Sequence, residues 1–204
     1  MRYLILAILA GGLGAVMIGL LVVGVREHLR RQAYARAAHA AGLLFAAADP
    51  FDVTSRYAGF VLCQAGHSFR AENVMHGRQA GWLLRAFDYR FEIGHGPGRQ
   101  TRRYSVIAAE TPLALSPALL WHEQDPLLPL AARLAQRRVG PWRIVEGQGE
   151  RLIEALAALA DEPLHVYARP GCLVLACARR WSADQMLDRI QRTAATLESL
   201  KRPA

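Results

Sequence analysis

The residues with the most capacity for chemistry lie between Asp88 and Arg103. Asp88, Arg90 and Glu92 alternate along one side of a patterned stretch, and Arg99, Arg102 and Arg103 follow a glycine-rich gap. Asp88 would serve as a general acid or base if His95 or His67 stood within hydrogen-bond reach of the same substrate atom. That pairing describes a hydrolase. Asp88 with Arg90, Arg99, Arg102 and Arg103 describes instead a charged binding surface, because guanidinium groups grip phosphate and carboxylate through paired hydrogen bonds. The gap itself, Gly94-His95-Gly96-Pro97-Gly98-Arg99, has the glycine content of a phosphate loop. It lacks the lysine and the strand-to-helix setting that such a loop needs. It reads as a hairpin tip.

Other chemistries find no foothold. His28, His39, His67, His76, His95, His122 and His165 show no HExxH pairing and no cysteine–histidine ligand spacing, so the sequence calls for no metal. No serine sits in GxSxG, no cysteine has a nucleophile setting, and no cofactor motif is present. Cys63, Cys172 and Cys177 are an odd set. Cys172 and Cys177 fall on opposite faces of an apolar strand, so all three read as free thiols suited to a reducing compartment. The net charge is +8, and Lys201 is the only lysine among 25 basic residues. The arginines are scattered rather than striped with aromatics, so no nucleic-acid partner is expected.

The element that must position the charged residues is a long β-hairpin from Gly81 to Glu110. Leu83, Phe87, Tyr89, Phe91 and Ile93 share one face, interrupted only by Arg85. On the other face Trp82, Leu84 and Ala86 give way to Asp88, Arg90 and Glu92. That pattern predicts a strand covered on both sides at its start and wet on one side from Asp88 onward. Setting Phe91 against Tyr104 also sets Tyr89 against Val106, Phe87 against Ala108 and Glu92 against Arg103. A one-residue slip would turn every side chain over, so the parity is the stronger constraint. The loop is then Gly94 to Thr101.

Tyr3 to Val25 carries no charge and makes about 35 Å of helix, enough to cross a bilayer with some tilt. Arg26, Arg30, Arg31 and Arg36 follow it against Arg2 before it, which places the domain on the cytoplasmic side of the inner membrane. The expected division is a transmembrane helix over 3–25, a basic juxtamembrane helix over 26–48, and a soluble domain over 49–204. The basic helix suits anionic lipid headgroups. Ala7, Gly11, Ala15 and Gly19 form a small-residue stripe through which the span would self-associate as a homodimer.

Beyond the anchor, Asp49-Pro50 breaks the helical pattern, and Phe69 to Gly77 reads as a strand before the hairpin. Prolines at 112, 117, 126 and 129 forbid long elements, with a short helix expected over Leu130–Gln136. Trp142–Gly147 reads as a strand, and Glu150–Ala160 as a helix with Leu152, Leu156 and Leu159 inward. Two more strands flank Pro170-Gly171, which suits a type II turn. Ser182 and Gln185 form a capping box opening a last helix whose buried face is Met186, Ile190, Thr193, Leu197 and Leu200. Hairpins with terminal helices argue an α+β domain with a mostly antiparallel sheet.

Asp49-Pro50-Phe51-Asp52, Tyr57 to Cys63, Glu72 to Gly77, Phe87-Asp88-Tyr89-Arg90-Phe91 and Arg99-Gln100-Thr101 occur in an order that resembles a group of bacterial single-span membrane proteins with no assigned activity. The resemblance runs from the anchor to about Glu110. It implies a membrane location and brings no functional residue with it. The group's tip is a shorter glycine-serine-glycine-lysine turn, from which this chain departs with histidine, proline and arginine. The expected function is a non-enzymatic, membrane-anchored interaction module that binds a protein partner or the anionic membrane surface. The alternative is a membrane-anchored hydrolase built on Asp88 and a histidine.

Overall fold

In the computed structural model, which describes residues 2–125, 137–147, 149–159 and 161–201, the apolar span and the basic stretch form one unbroken helix. This is α1 (Arg2–Ala40), about 58 Å long at about 1.5 Å per residue. Residues 11–26 are all exposed, Gly11, Ala15 and Gly19 among them, and the helix is long and apolar enough to cross a membrane. Gly42, at φ 69°, ends it. The Leu43 amide donates to the Ala38 carbonyl and the Gly42 amide to that of His39, a Schellman closure that needs the left-handed glycine. The helix expected over 26–48 therefore stops at Ala40. Leu44–Ala48 is a strand, β1, because its alanines have an edge to pair with.

The other strands are β2 (His67–Gln79), β3 (Trp82–Ile93), β4 (Gln100–Glu110), β5 (Ala118–His122), β6 (Arg137–Val139), β7 (Trp142–Gly147), β8 (Leu164–Arg169) and β9 (Cys172–Cys177). Among the described residues they form one sheet in the order β1-β2-β3-β4-β9-β8-β5-β7-β6, antiparallel at every step. Among the described residues there are three further α-helices, α2 (Val53–Arg56), α3 (Glu150–Ala155) and α4 (Ala183–Lys201), and short 3-10 turns at Val61–Cys63, Gly96–Gly98 and Leu156–Leu159. The fold is α+β, as the hairpin pattern predicts. The helix expected over Leu130–Gln136 lies outside the described residues.

The sheet has a core on each face. On one, Leu84, Ala86, Ile107 and Leu175 pack under Tyr34 and Ala38 of α1, Leu152 of α3 and Met186, Ile190 and Leu197 of α4. On the other, Phe87, Tyr89, Phe91, Val106 and Val174 pack under Val53, Tyr57, Phe60 and Leu62. Alternation along each strand produces both cores at once. Cys172 and Cys177 end up in different cores, and burial lifts their thiols to about 11 and about 12. Such thiols stay protonated and are poor nucleophiles.

β3 and β4 have the expected parity and a register two residues tighter. Tyr89 faces Tyr104, Phe87 faces Val106 and Glu92 faces Thr101. The turn closes early because Gly94 and Gly96 take φ 77° and 59°, so the loop is only Gly94 to Arg99. Phe91 and Tyr104 become diagonal neighbours, with ring centroids 5.9 Å apart. α4 opens as the capping box predicts: Ser182 Oγ accepts from the Gln185 amide and Gln185 Oε1 accepts from the Ser182 amide.

Candidate functional site

Asp88 is buried, which corrects the expectation of a wet strand from Asp88 onward. The element that covers it is α1. Arg30 donates to both carboxylate oxygens, Nε to Oδ2 at 2.8 Å and Nη2 to Oδ1 at 2.7 Å. The same Nη2 lies 2.7 Å from the Tyr34 hydroxyl and from the Trp181 carbonyl, to which Tyr34 itself donates at 2.8 Å. Asn73 donates to Oδ2 at 2.9 Å. It does so from a left-handed conformation, φ 54°, where β2 is irregular in its pairing with β3. An asparagine tolerates that conformation better than most residues. A carboxylate removed from water needs this degree of pairing to stay charged. The result is a latch that fastens the helix to the sheet.

Beside the latch is a cleft of about 220 Å³ bounded by α1 and the ends of β3 and β4. Its wall includes Val23, in the last turn of the apolar span, with Glu27 and Arg31 next along α1 and Glu72, Arg90 and Arg103 from the sheet. The three acids in it are taken. Glu27 accepts two hydrogen bonds from Arg180, Glu72 pairs with Arg90 at 3.1 Å, and Asp88 is held by Arg30. A second, more polar cleft of about 310 Å³ adjoins it and is lined by Arg70, Arg90, Glu92, Arg99 and Arg103. Asp88, Arg90 and Arg103 are thus brought together, and Arg99 joins them across the second cleft. Arg102 is not. It faces Phe91 across the ladder, on the opposite side of the sheet from Arg103, and donates to Gln100.

The hydrolase pairing is not made. No histidine is among the hydrogen-bond or ion-pair partners of Asp88. His67 and His95 stack on each other at the tip, centroids 4.8 Å apart, and His67 donates from Nε2 to the Gly94 carbonyl at 2.9 Å. Among the described residues no cluster of three or more histidine, cysteine, aspartate or glutamate side chains could hold a metal ion.

The residues that the sequence left out are Arg30 and Tyr34, whose role depends on a partner far along the chain, and one buried pair. His165 on β8 contacts Asp125, which also accepts from the Tyr104 hydroxyl at 3.2 Å. Burial pulls the imidazole below its ordinary value against the pull of Asp125. Both side chains are fully buried, under Trp121, whose ring lies 3.9 Å from that of His165. This pair is enclosed in the core, between β4 and β8.

The Asp49-Pro50-Phe51-Asp52 stretch makes structural contacts. Asp49 caps the turn into α2, its carboxylate accepting from the Phe51 and Val53 amides. Phe51 lies 4.6 Å under the Arg85 guanidinium, and Arg85 pairs with Glu110, which Arg56 also reaches.

No family model and no curated protein matches the chain. Among solved structures it is similar to the crystal structure of the mycobacterial trehalose monomycolate transport factor A, TtfA. The two are 12% identical with a TM-score of 0.55, over 85% of this chain and 97% of that one. At that identity the likeness is one of fold.

Proposed function

We propose that this chain is a non-enzymatic, membrane-anchored module at the cytoplasmic face of the inner membrane, with the arginine-bearing end of its hairpin laid on anionic headgroups. One observation carries the reading: Val23 of the apolar span and Arg90 and Arg103 of the hairpin line the same cleft. Helix and strand therefore run side by side, toward the membrane in one direction and into the core in the other. From Asp88 to Ile93 the strand advances about 17 Å. α1 covers that distance from Arg30 in about eleven residues, which is the neighbourhood of Gly19, inside the span. The tip, with His95 and Arg99, is then at headgroup depth, where each arginine contributes about 1 kcal/mol on an anionic surface; Arg103, which faces Arg90, lies three residues further from the membrane. The latch matters because it fixes that depth.

A nitroxide attached at Gly98→Cys, in the full chain reconstituted in bilayers containing phosphatidylglycerol, tests the depth. The expected result is collision with dissolved oxygen favoured over collision with a water-soluble nickel chelate, relative to a label at Arg78→Cys on the far end. Equal, fully aqueous behaviour at both positions would overturn the reading. A reporter fused after Ala204 that is active only in the periplasm would overturn the cytoplasmic assignment.

A second reading, an accessory factor of a membrane transport system that binds a protein partner, is supported by the fold shared with TtfA, a mycobacterial trehalose monomycolate transport factor. Photo-crosslinking from the hairpin tip into one membrane protein, rather than into lipid, would favour it. Self-association through Ala7, Gly11, Ala15 and Gly19 is compatible with both. A Gly11→Leu plus Ala15→Leu variant that crosslinks to itself as well as the parent would remove it.

A further inference from the structure

The charges around the first cleft do not cancel. Glu27, Glu72 and Asp88 are matched to Arg180, Arg90 and Arg30 respectively. Arg31 on α1 and Arg103 on β4 remain, both exposed, and among the described residues neither has a hydrogen bond or ion pair within the chain. Two surplus positive charges thus line one small cleft from opposite walls. Its volume, about 220 Å³, is below the roughly 300 Å³ at which pockets for drug-sized ligands begin, so a nucleotide does not fit inside it. A phosphate group does. Guanidinium groups are the side chains best shaped for phosphate oxygens, each offering parallel N–H donors. The wall at the other end is Val23, an apolar residue of the span, with the exposed Leu20 and Leu21 continuing beyond it. The cleft is polar where a headgroup would lie and opens onto apolar helix where acyl chains would lie.

Resting on the membrane reading above, we propose that this cleft binds the phosphodiester of one anionic phospholipid, held between Arg31 and Arg103. The paired acids give the site its selectivity. They cancel the neighbouring arginines, so the surplus charge is confined to the two side chains that face each other. A zwitterionic lipid offers the same phosphate but brings an ammonium group into a cleft whose carboxylates are already taken.

The test uses the full chain in phosphatidylcholine nanodiscs carrying a trace of spin-labelled phosphatidylglycerol, and reads the motionally restricted fraction of the label. The R31Q/R103Q double variant should lose phosphatidylglycerol-over-phosphatidylcholine selectivity about tenfold, the size of one charge-assisted contact. R78Q/R138Q, which removes the same charge from sites far from the cleft, should keep it. R31K/R103K keeps the charge and loses the fork geometry, so it should fall between the two. Equal loss in R31Q/R103Q and R78Q/R138Q would overturn the site in favour of diffuse attraction. Saturable binding of inorganic phosphate by the full chain, with no motional restriction of the labelled lipid, would overturn the lipid as its occupant. A tip label at headgroup depth together with unchanged selectivity in R31Q/R103Q would sink the cleft alone and leave the membrane-surface reading standing. Among the described residues neither arginine has a hydrogen bond or ion pair, so the melting temperature should stay close to that of the parent and certify the variants as folded.

Discussion

Two arginine–carboxylate pairs sit close together on β3 and face opposite sides of the sheet. Asp88 reaches outward to Arg30, 58 residues away in sequence, on the helix that carries the apolar span. Arg85 reaches Glu110, 25 residues away, on the neighbouring strand and diagonal to the residue it faces, Ala108. Both bury a guanidinium against a carboxylate, yet they hold different things together. The first pair fixes the helix that carries the apolar span to the domain. The second steadies a loop already tethered by its own chain, with Phe51 stacked on the guanidinium. Water makes the other difference. Arg30 and Asp88 are 18% and 10% exposed, whereas Glu110 is 32% exposed and can be rehydrated. A pair whose carboxylate has less access to water loses more when one member is removed.

The comparison has a direct test. Asp88→Ala leaves Arg30 buried against Tyr34 and the Trp181 carbonyl with no anion, and should destabilise the full chain by about 3 kcal/mol. Chemical denaturation in a neutral detergent measures it. The same variant should free α1 from the sheet, which a distance measurement between labels on Arg36→Cys and Arg78→Cys would detect as broadening. Arg85→Met should cost less, about 1 kcal/mol, because Glu110 keeps Arg56 and solvent. It should leave that distance distribution unchanged. Equal effects of the two variants would remove the distinction between latch and brace.

The smallest effect is in pH. Burial raises the Glu110 carboxyl, but Arg85 and Arg56 outweigh it and hold the group below its ordinary value. A depressed carboxylate contributes stability that is present above the unfolded value near 4.3 and is lost as pH falls through the folded one. Acid unfolding of the parent should therefore show a contribution below about pH 4.3 that Arg85→Met diminishes. A parallel pair of acid titration curves would contradict it.

Much of this architecture is legible in residue order. Phe87, Tyr89 and Phe91 alternate with Leu84, Ala86 and Asp88, and each set entered the core on its own face. The misreading of Asp88 on that strand is instructive. Asp88 follows three apolar residues on its face and precedes two charged ones, so it reads as the start of the wet half. It is buried because α1 lies across it, and α1 has too few large apolar residues in Arg26–Ala40 to announce that it covers anything. Tyr34 was the available sign, an aromatic in an alanine- and arginine-rich stretch. The boundary at Ala40 had a sign too, Gly42, but alanines on both sides of it continue a helical composition. The hairpin register slipped by two because pairing energies for aromatic and β-branched neighbours are similar, whereas the glycine-rich tip decided the matter by closing early.

Residue order alone determined the uncharged span, the parity of the hairpin, the turn at Pro170-Gly171 and the capping box at Ser182. Each is a local property, set by the period of a strand or by contacts within about four residues, so it survives without knowledge of the fold. Tertiary structure decided which charges are spent and which are left. Asp88, Arg90 and Arg103 looked alike as neighbours on a hairpin, but one is locked to α1, one is paired to β2 and one lines the cleft with Arg31. Coulomb interaction depends on distance through space and on access to water. Neither is visible until a helix from the far end of the chain is laid against the sheet.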